Sequence, residues 1–119
     1  MIKFKKFDHI LVCVPMGQLE AAVQFYKEVL ELKQIPGEHP NNARWFELGE
    51  YQLHLREEAV EIHKSERHPA FVVDNLPEAK AFLEDKKLEI TYSTKLNDRE
   101  RCFFRDPWSN RFELIEFVE

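Results

Sequence analysis

A repeat with a period of half the chain constrains this sequence more than any other feature. His9 and His68 lie 59 residues apart in a chain of 119, and His54 and Glu113 are separated by the same distance. The flanking sequence repeats in the same register, over His9–Val14 and His68–Val73 and over Tyr51–Leu55 and Asn110–Leu114. Such a period indicates two copies of one module, each contributing two side chains able to bind a metal ion.

Length and composition favour one compact domain over residues 1–119, with module one at about 1–60 and module two at about 65–119. A formal net charge of -5 without a basic stripe argues against nucleic acid as the partner. No apolar run approaches the ~20 residues of a membrane span, and the first residues lack a signal-peptide core. Cys13 and Cys102 have no spacing typical of a disulfide framework or a zinc knuckle. We therefore expect a cytoplasmic protein.

Hydrophobic periodicity predicts a strand, a helix and then two or three strands in each half. The first half is predicted as a strand at 7–14, a helix at about Leu19–Glu31 and a hairpin of Arg44–Leu48 and Tyr51–Arg56. A charged linker covers Glu57–Arg67. The second half is predicted as strands at His68–Val73, Glu89–Ser93, Arg101–Phe104 and Arg111–Phe117, with a helix at about Pro77–Lys86 capped by Asn75.

Strand alternation predicts where the four candidate ligands point. Ile10, Val12 and Val14 share the face expected to pack on the helix, so His9 lies on the opposite face. The same alternation sets His54 opposite its leucine neighbours, and it separates His68 and Glu113 from the bulky residues of their strands. Four polar groups in front of a sheet with helices behind it describe a cup with a metal at its base. Glu116 is a nearby alternative, but it falls on the helix-facing side.

Several phrases in a fixed order resemble one known family. They are Phe7-Asp8-His9-Ile10, Phe25–Leu32, Trp45-Phe46 before Gln52-Leu53-His54-Leu55, His68–Val73 and Asp106–Leu114. Together they make the chain similar, over nearly its whole length, to the vicinal oxygen chelate superfamily, also called the glyoxalase/bleomycin resistance/dioxygenase family.

The resemblance implies an α+β fold of two paired βαβββ modules, which form a cup-shaped mixed sheet with helices on its outer face. It implies one divalent metal ion bound by His9, His54, His68 and Glu113. Many single-domain relatives are homodimers with sites shared between subunits, so His9 and His54 of one subunit are expected to meet His68 and Glu113 of the other.

The chain departs from the family pattern at two positions. The last turn of the family is often Asp-Pro-x-Gly-Asn, and Ser109 stands here in place of the glycine. Glyoxalase I relatives usually carry a carboxylate that takes part in proton transfer at the position of His54. A histidine there can bind metal but alters that chemistry.

Three imidazoles and one carboxylate suit Zn, Ni, Co, Mn or Fe(II). Open coordination positions would accept two oxygens of a small-molecule substrate, and the expected reaction is of the lyase or isomerase type. A non-haem Fe(II) dioxygenase is an alternative, because His9, His68 and Glu113 form a two-histidine, one-carboxylate set. In that case His54 is a fourth ligand or an acid/base group. A metal-free protein that only binds a drug or metabolite, as in bleomycin resistance, is the third possibility.

The remaining candidates are assigned by strand face. His54 and Arg101 are the candidate catalytic residues, and Arg101 is also placed to hold an anionic group. The candidate substrate-binding residues are Gln52, Arg56, Trp45 and Phe103. A solvated arginine at a sheet edge is the plain alternative for both arginines. His39 and His63 lie in polar loops and are expected to be solvated.

Overall fold

The computed structural model describes residues Met1–Val118, and the chain divides into two compact units, Met1–Ile62 and His63–Glu119. The boundary lies in the charged segment between the two repeats. The first unit contains β1 (His9–Pro15), α1 (Leu19–Gln24), a π-helix (Phe25–Val29), β2 (Gln34–Ile35), a 3-10 turn (Pro40–Asn42), β3 (Arg44–Leu48) and β4 (Tyr51–Glu58). The second unit contains β5 (Ala70–Val72), α2 (Leu76–Asp85), β6 (Arg99–Arg105) and β7 (Arg111–Phe117).

Each unit is built on a mixed sheet. The first sheet has the order β1-β4-β3-β2, with β1 and β4 parallel and the other pairs antiparallel. The second has the order β5-β7-β6, with β5 parallel and β6 antiparallel to β7. The α+β class and the two βαβββ-like modules are therefore as expected.

The 59-residue repeat reappears in the strand register. Leu11 pairs with His54 in the first unit, and Ala70 pairs with Glu113 in the second. Each partner is displaced by the same 59 residues, so the two parallel strand pairs are copies in register as well as in sequence.

A glutamate from the last strand of each unit binds the start of that unit's helical segment, and these contacts repeat at 59 residues too. Glu57 Oε2 accepts a hydrogen bond of 2.5 Å from the backbone N–H of Gly17. Glu116 Oε1 accepts one of 2.6 Å from the N–H of Leu76. Glu116 points to the α2 side of its strand. Because strand side chains alternate, Glu113, three residues earlier, lies on the opposite face. Glu57 likewise sets His54 on the face away from α1, so the predicted helix-facing role of Glu116 is confirmed.

Both faces of β4 and β6 are buried at their centres, where three consecutive residues are largely inaccessible to solvent. The core of the first unit contains the fully buried Val14, Tyr26, Phe46, Leu53 and Leu55. That of the second contains Leu76, Leu83, Cys102, Phe103 and Phe112. Asn75 caps α2 as predicted, since its side chain accepts a hydrogen bond of 3.0 Å from the N–H of Glu78.

Three local predictions differ from the structure. The helix predicted to run to Glu31 ends as an α-helix at Gln24 and continues as the π-helix. The strand predicted at Glu89–Ser93 is wrong, because within it only Thr91 pairs, in an isolated bridge to Phe103. Strand β2 was not predicted, since two residues are too few for a periodic signal.

Asp106 organises the turn between β6 and β7. Its Oδ1 accepts hydrogen bonds from the N–H groups of Trp108 and Asn110, and its Oδ2 accepts one from Asn110 Nδ2. Ser109 has a φ of 70°, the left-handed conformation for which glycine is favoured. Within residues 1–118, no helix has the length and apolar character needed to cross a membrane.

Candidate functional site

On the first sheet, the candidate side chains form a stacked row across neighbouring strands. The rings of His9 on β1 and His54 on β4 stack with centroids 3.9 Å apart. Trp45 on β3, opposite His54 in register, stacks on the other face of His54 at 4.0 Å with planes 2° apart. His39 stacks on Trp45 at 4.1 Å, so four rings form one column. His39 is thus half-buried in this column, where solvation was expected.

His9 is oriented by the residue before it. Its Nδ1 lies 2.8 Å from Asp8 Oδ2, and a carboxylate oxygen can only accept, so Nδ1 carries the proton. This hydrogen bond lowers the pKa of Asp8 below its usual value. The tautomer leaves Nε2 of a neutral His9 with a lone pair, the arrangement typical of a metal-binding histidine with a carboxylate behind it.

His54 is a buried imidazole. Its residue is 8% exposed, and burial, followed by the nearby His9, lowers the pKa of His54. Its Nε2 donates to Gln52 Oε1 at 2.9 Å, which leaves Nδ1 unprotonated. Lone pairs of two nearly parallel stacked rings lie in separate planes. His9 and His54 therefore reach one ion together only if one ring turns.

A second row lies on the sheet of the second unit. Phe103 on β6 is directly opposite Glu113 on β7, and His68 precedes β5. The His68 ring meets Phe103 edge-to-face at 5.2 Å. Phe103 and Glu113 are 2% and 5% exposed, so the carboxylate lies in a poorly solvated setting. His68, Glu113 and Phe103 thus repeat the pattern of His9, His54 and Trp45.

His68 and Glu113 are in direct contact. His68 Nδ1 lies 2.8 Å from the Glu66 carbonyl oxygen, which can only accept, and 3.3 Å from Arg111 Nη1, which can only donate. Nε2 faces Glu113 Oε1 at 2.8 Å. A distance of 2.8 Å is that of a hydrogen bond from the imidazole N–H to the carboxylate. Two ligands bound at ~2.1 Å to one tetrahedral ion lie about 3.4 Å apart, so a bound ion would replace this hydrogen bond and move the two atoms slightly apart.

Arg101 contacts the other oxygen of the same carboxylate. Its Nη1 lies 3.4 Å from Glu113 Oε2, and its Nη2 donates to the Thr94 carbonyl oxygen at 2.6 Å. Its Nε is buried without a hydrogen-bond partner. A buried donor without a partner costs about 1–3 kcal/mol, so Arg101 is poorly satisfied where it lies.

The other candidate substrate-binding residues lie on these same faces. Gln52 and Trp45 contact His54, and Phe103 contacts His68. Arg56 lies two residues after His54 on the same face of β4 and is opposite Cys13 in register. The structure thus places Gln52, Trp45 and Phe103 beside the candidate ligands and Arg56 one step beyond.

Several contributors escaped sequence reasoning. His39 lies outside the 59-residue pattern and joins the column through a loop. Arg111 shares the face of Glu113, pairs with Glu66 Oε2 at 2.8 Å and covers the Phe103 ring at 4.1 Å. Glu66 acts on His68 through its backbone carbonyl, which no side-chain pattern reveals.

In the described part of the chain, no three His, Cys, Asp or Glu side chains are grouped so as to hold a metal ion. The candidate donors occur as pairs, one pair in each unit. His68 and Glu113 are hydrogen-bonded to each other, whereas in the first pair His9 contacts Asp8 and His54 contacts Gln52.

Comparison with known families identifies the superfamily of the chain. The model of the Glyoxalase/Bleomycin resistance protein/Dioxygenase superfamily matches residues 6–114. The chain belongs to this superfamily. A comparison with curated protein sequences found no significant match.

Solved structures of superfamily proteins share the fold. A glyoxalase family protein from Bacillus anthracis is 28% identical with a TM-score of 0.86, over 99% of each chain. Lactoylglutathione lyase from Agrobacterium tumefaciens is 18% identical with a TM-score of 0.74, over 96% of this chain and 95% of that one. A mutant of the fosfomycin resistance protein FosX from Listeria monocytogenes, complexed with Mn(II) and a dihydroxypropylphosphonic acid, is 14% identical with a TM-score of 0.78, over 98% and 95%.

Proposed function

We propose that this superfamily member is a divalent-metal-dependent enzyme of the lyase or isomerase type, acting on a small oxygen-bearing metabolite. His9, His54, His68 and Glu113 are the proposed metal-site residues. The observation that carries the proposal is the His68–Glu113 pair, in which an imidazole nitrogen and a buried carboxylate oxygen face each other at 2.8 Å. Lactoylglutathione lyase, an enzyme, and the Mn(II) complex of FosX share this fold, which supports the same reading.

In this proposal each group of residues has its own role. A bound divalent ion would act as a Lewis acid toward a substrate oxygen. Trp45 and Phe103 form apolar walls, and Gln52 and Arg56 contact polar groups of the substrate. Arg101 attracts a negatively charged group. Gln52 contacts Nε2 of His54 and burial lowers the pKa of this imidazole, so Nδ1 is the atom proposed to accept and return a proton.

The stacked column favours an acid/base role for His54. Its Nε2 is engaged by Gln52 and its two faces are covered by His9 and Trp45. His54→Gln is therefore expected to keep most of the bound metal and to lose activity, whereas His9→Gln is expected to lose metal. Equal loss of metal in both variants would make His54 a ligand instead.

A non-haem Fe(II) dioxygenase is the second candidate, and one observation favours it. With His54 engaged by Gln52, the ligand set contracts to His9, His68 and Glu113, which is the two-histidine, one-carboxylate type. The identity of the metal separates the two candidates: Zn, Ni, Co or Mn favours the lyase or isomerase, and Fe(II) with oxygen uptake favours the dioxygenase.

The test is the metal content of protein purified without an affinity tag, measured by mass spectrometry. Wild type and Glu113→Gln are compared with Glu100→Gln, which removes an exposed carboxylate from the neighbouring strand. We expect near-stoichiometric metal in wild type and Glu100→Gln and a loss of at least about tenfold in Glu113→Gln. A wild type that binds no divalent ion, even after anaerobic incubation, would contradict the proposal and favour a metal-free binding protein.

A further inference from the structure

Arg101 and a bound metal ion would both contact the carboxylate of Glu113. Glu113 presents Oε1 to His68 and Oε2 to Arg101, so the only acidic side chain of the proposed ligand set is shared with a guanidinium. The Arg101 contact is long, at 3.4 Å, where charge-assisted bonds are usually ~2.7–2.9 Å.

The rest of the Arg101 environment does not satisfy its charge. Glu113 is the carboxylate with which it forms an ion pair, and the Thr94 carbonyl is a neutral partner. A guanidinium has five N–H donors, and Nε has no partner at all. Arg111 differs, because it pairs with Glu66 at 2.8 Å, as does Arg99 with Asp98. The ion pair of Arg101 is thus longer than those of Arg111 and Arg99.

A divalent ion at His68 and Glu113 would change this balance. The two positive charges of the ion would exceed the single negative charge of Glu113. The ion would therefore repel the guanidinium of Arg101. Ion and arginine together would leave a net positive site that an anionic substrate would neutralise. Arg101 would then exchange a long contact with Glu113 for a two-point contact with a substrate oxyanion, the geometry that arginine favours.

We propose that Arg101 is a specificity-determining residue that Glu113 holds in the absence of metal, and that it selects a small organic anion whose charged group lies next to the metal-binding oxygens. This inference rests on the proposed function, since it assumes that a cation binds to Glu113. Arg101 opposes metal binding when no anion is present and supports anion binding once the metal is bound.

The first arm of the test is the affinity for Mn(II) alone, measured by calorimetry on the full chain. We expect Arg101→Gln to bind Mn(II) about tenfold more tightly than wild type, because a positive charge beside Glu113 is removed. Arg101→Lys should stay close to wild type. Arg105→Gln is the matched control, because Arg105 lies on the same strand and donates to the Ser109 carbonyl oxygen at 2.9 Å.

The second arm uses oxalate and oxamate, two chelators that differ in one outer charged oxygen. With Mn(II) saturating, Arg101→Gln should lose about tenfold in oxalate affinity and less in oxamate affinity, so that the ratio of the two affinities falls relative to wild type. Circular dichroism and the unfolding midpoint of each variant show that it is folded.

The outcomes separate the two proposals. No Mn(II) binding by wild type would overturn the proposed function and this inference with it. Mn(II) binding that weakens in Arg101→Gln would overturn the inference alone, because Arg101 would then be holding Glu113 in place for the metal. Unchanged Mn(II) affinity and unchanged oxalate preference would also overturn it.

Discussion

Ser109, in the turn after β6, has a backbone conformation that is unfavourable for a residue with a side chain. Its φ of 70° lies in the left-handed region, where a Cβ atom costs about 1 kcal/mol relative to glycine. The hydrogen bonds of the turn come from Asp106, and Ser109 contributes only its backbone to Asp106 and Arg105. The side chain of Ser109 can therefore be removed without loss of a contact.

Ser109→Gly should consequently raise the free energy of unfolding by about 0.5 kcal/mol, the relief of about 1 kcal/mol of strain less about 0.4–1 kcal/mol for the added freedom of the unfolded chain. Urea unfolding of chelator-treated protein measures this. Ser109→Ala keeps the Cβ atom and should not share the gain. An alanine variant as stable as the glycine variant would show that the strain is absent.

The buried thiol of Cys102 is expected to make the free energy of unfolding depend on pH in the alkaline range. Burial in the core raises the pKa of its thiol, with Lys80 acting in the opposite direction. Between the unfolded pKa of about 8.5 and the higher folded pKa, the unfolded state binds fewer protons, so stability falls as pH rises. The free energy of unfolding should therefore decline more steeply from pH 8 to pH 10 in wild type than in Cys102→Ala. Cys13 is present in both proteins, so its contribution cancels, and equal slopes would contradict the prediction.

At the scale of elements, the paired contacts of Glu57 and Glu116 explain how each helical segment is attached to its sheet. Each carboxylate accepts from a backbone N–H at the start of that segment, where the exposed N–H groups favour a negative charge. The contact crosses 40 residues in both units and so joins the first connection of the unit to its last strand.

Glu116→Gln should lower the free energy of unfolding by about 1–2 kcal/mol, because a charge-assisted hydrogen bond becomes a neutral one. Glu57→Gln should have an effect in the same direction. Glu89→Gln, which removes an exposed carboxylate, should change stability by less than about 0.5 kcal/mol. Chemical denaturation of the three variants compares them, and a Glu116 variant no weaker than the Glu89 variant would disprove the role.

The elements differ in how well sequence predicts them, for physical reasons. Alternation in β4 and β7 decides the faces of His54 and Glu113, because a strand has no other way to place them. The family fold follows from the same repeat. By contrast, Thr91 lies in a segment with strand-like alternation that forms only one bridge, since pairing depends on a partner strand. The column that includes His39 depends on a loop conformation, and the Glu66 carbonyl carries no sequence signal.

At the scale of the whole molecule, duplication gives each chain two half-sets of candidate ligands. The first unit holds His9 and His54, and the second holds His68 and Glu113. We expect a homodimer whose sites combine half-sets from different subunits, as in many single-domain relatives. In such a dimer, each site takes one half-set from each chain. A substitution in one half-set of one chain therefore affects only one of the two sites.

This expectation is tested by pairing His9→Ala with Glu113→Ala. Each homodimer should bind almost no metal. A heterodimer carrying one of each, purified through two different tags, should bind about one metal ion, because one site receives both intact half-sets and the other receives both defects. Sedimentation first shows whether the chain is dimeric. A dimeric heterodimer without metal would place both half-sets of each site in the same chain. The intact site would have the wild-type metal affinity, whereas a site lacking one ligand would bind more weakly, so a titration distinguishes complementation from residual binding.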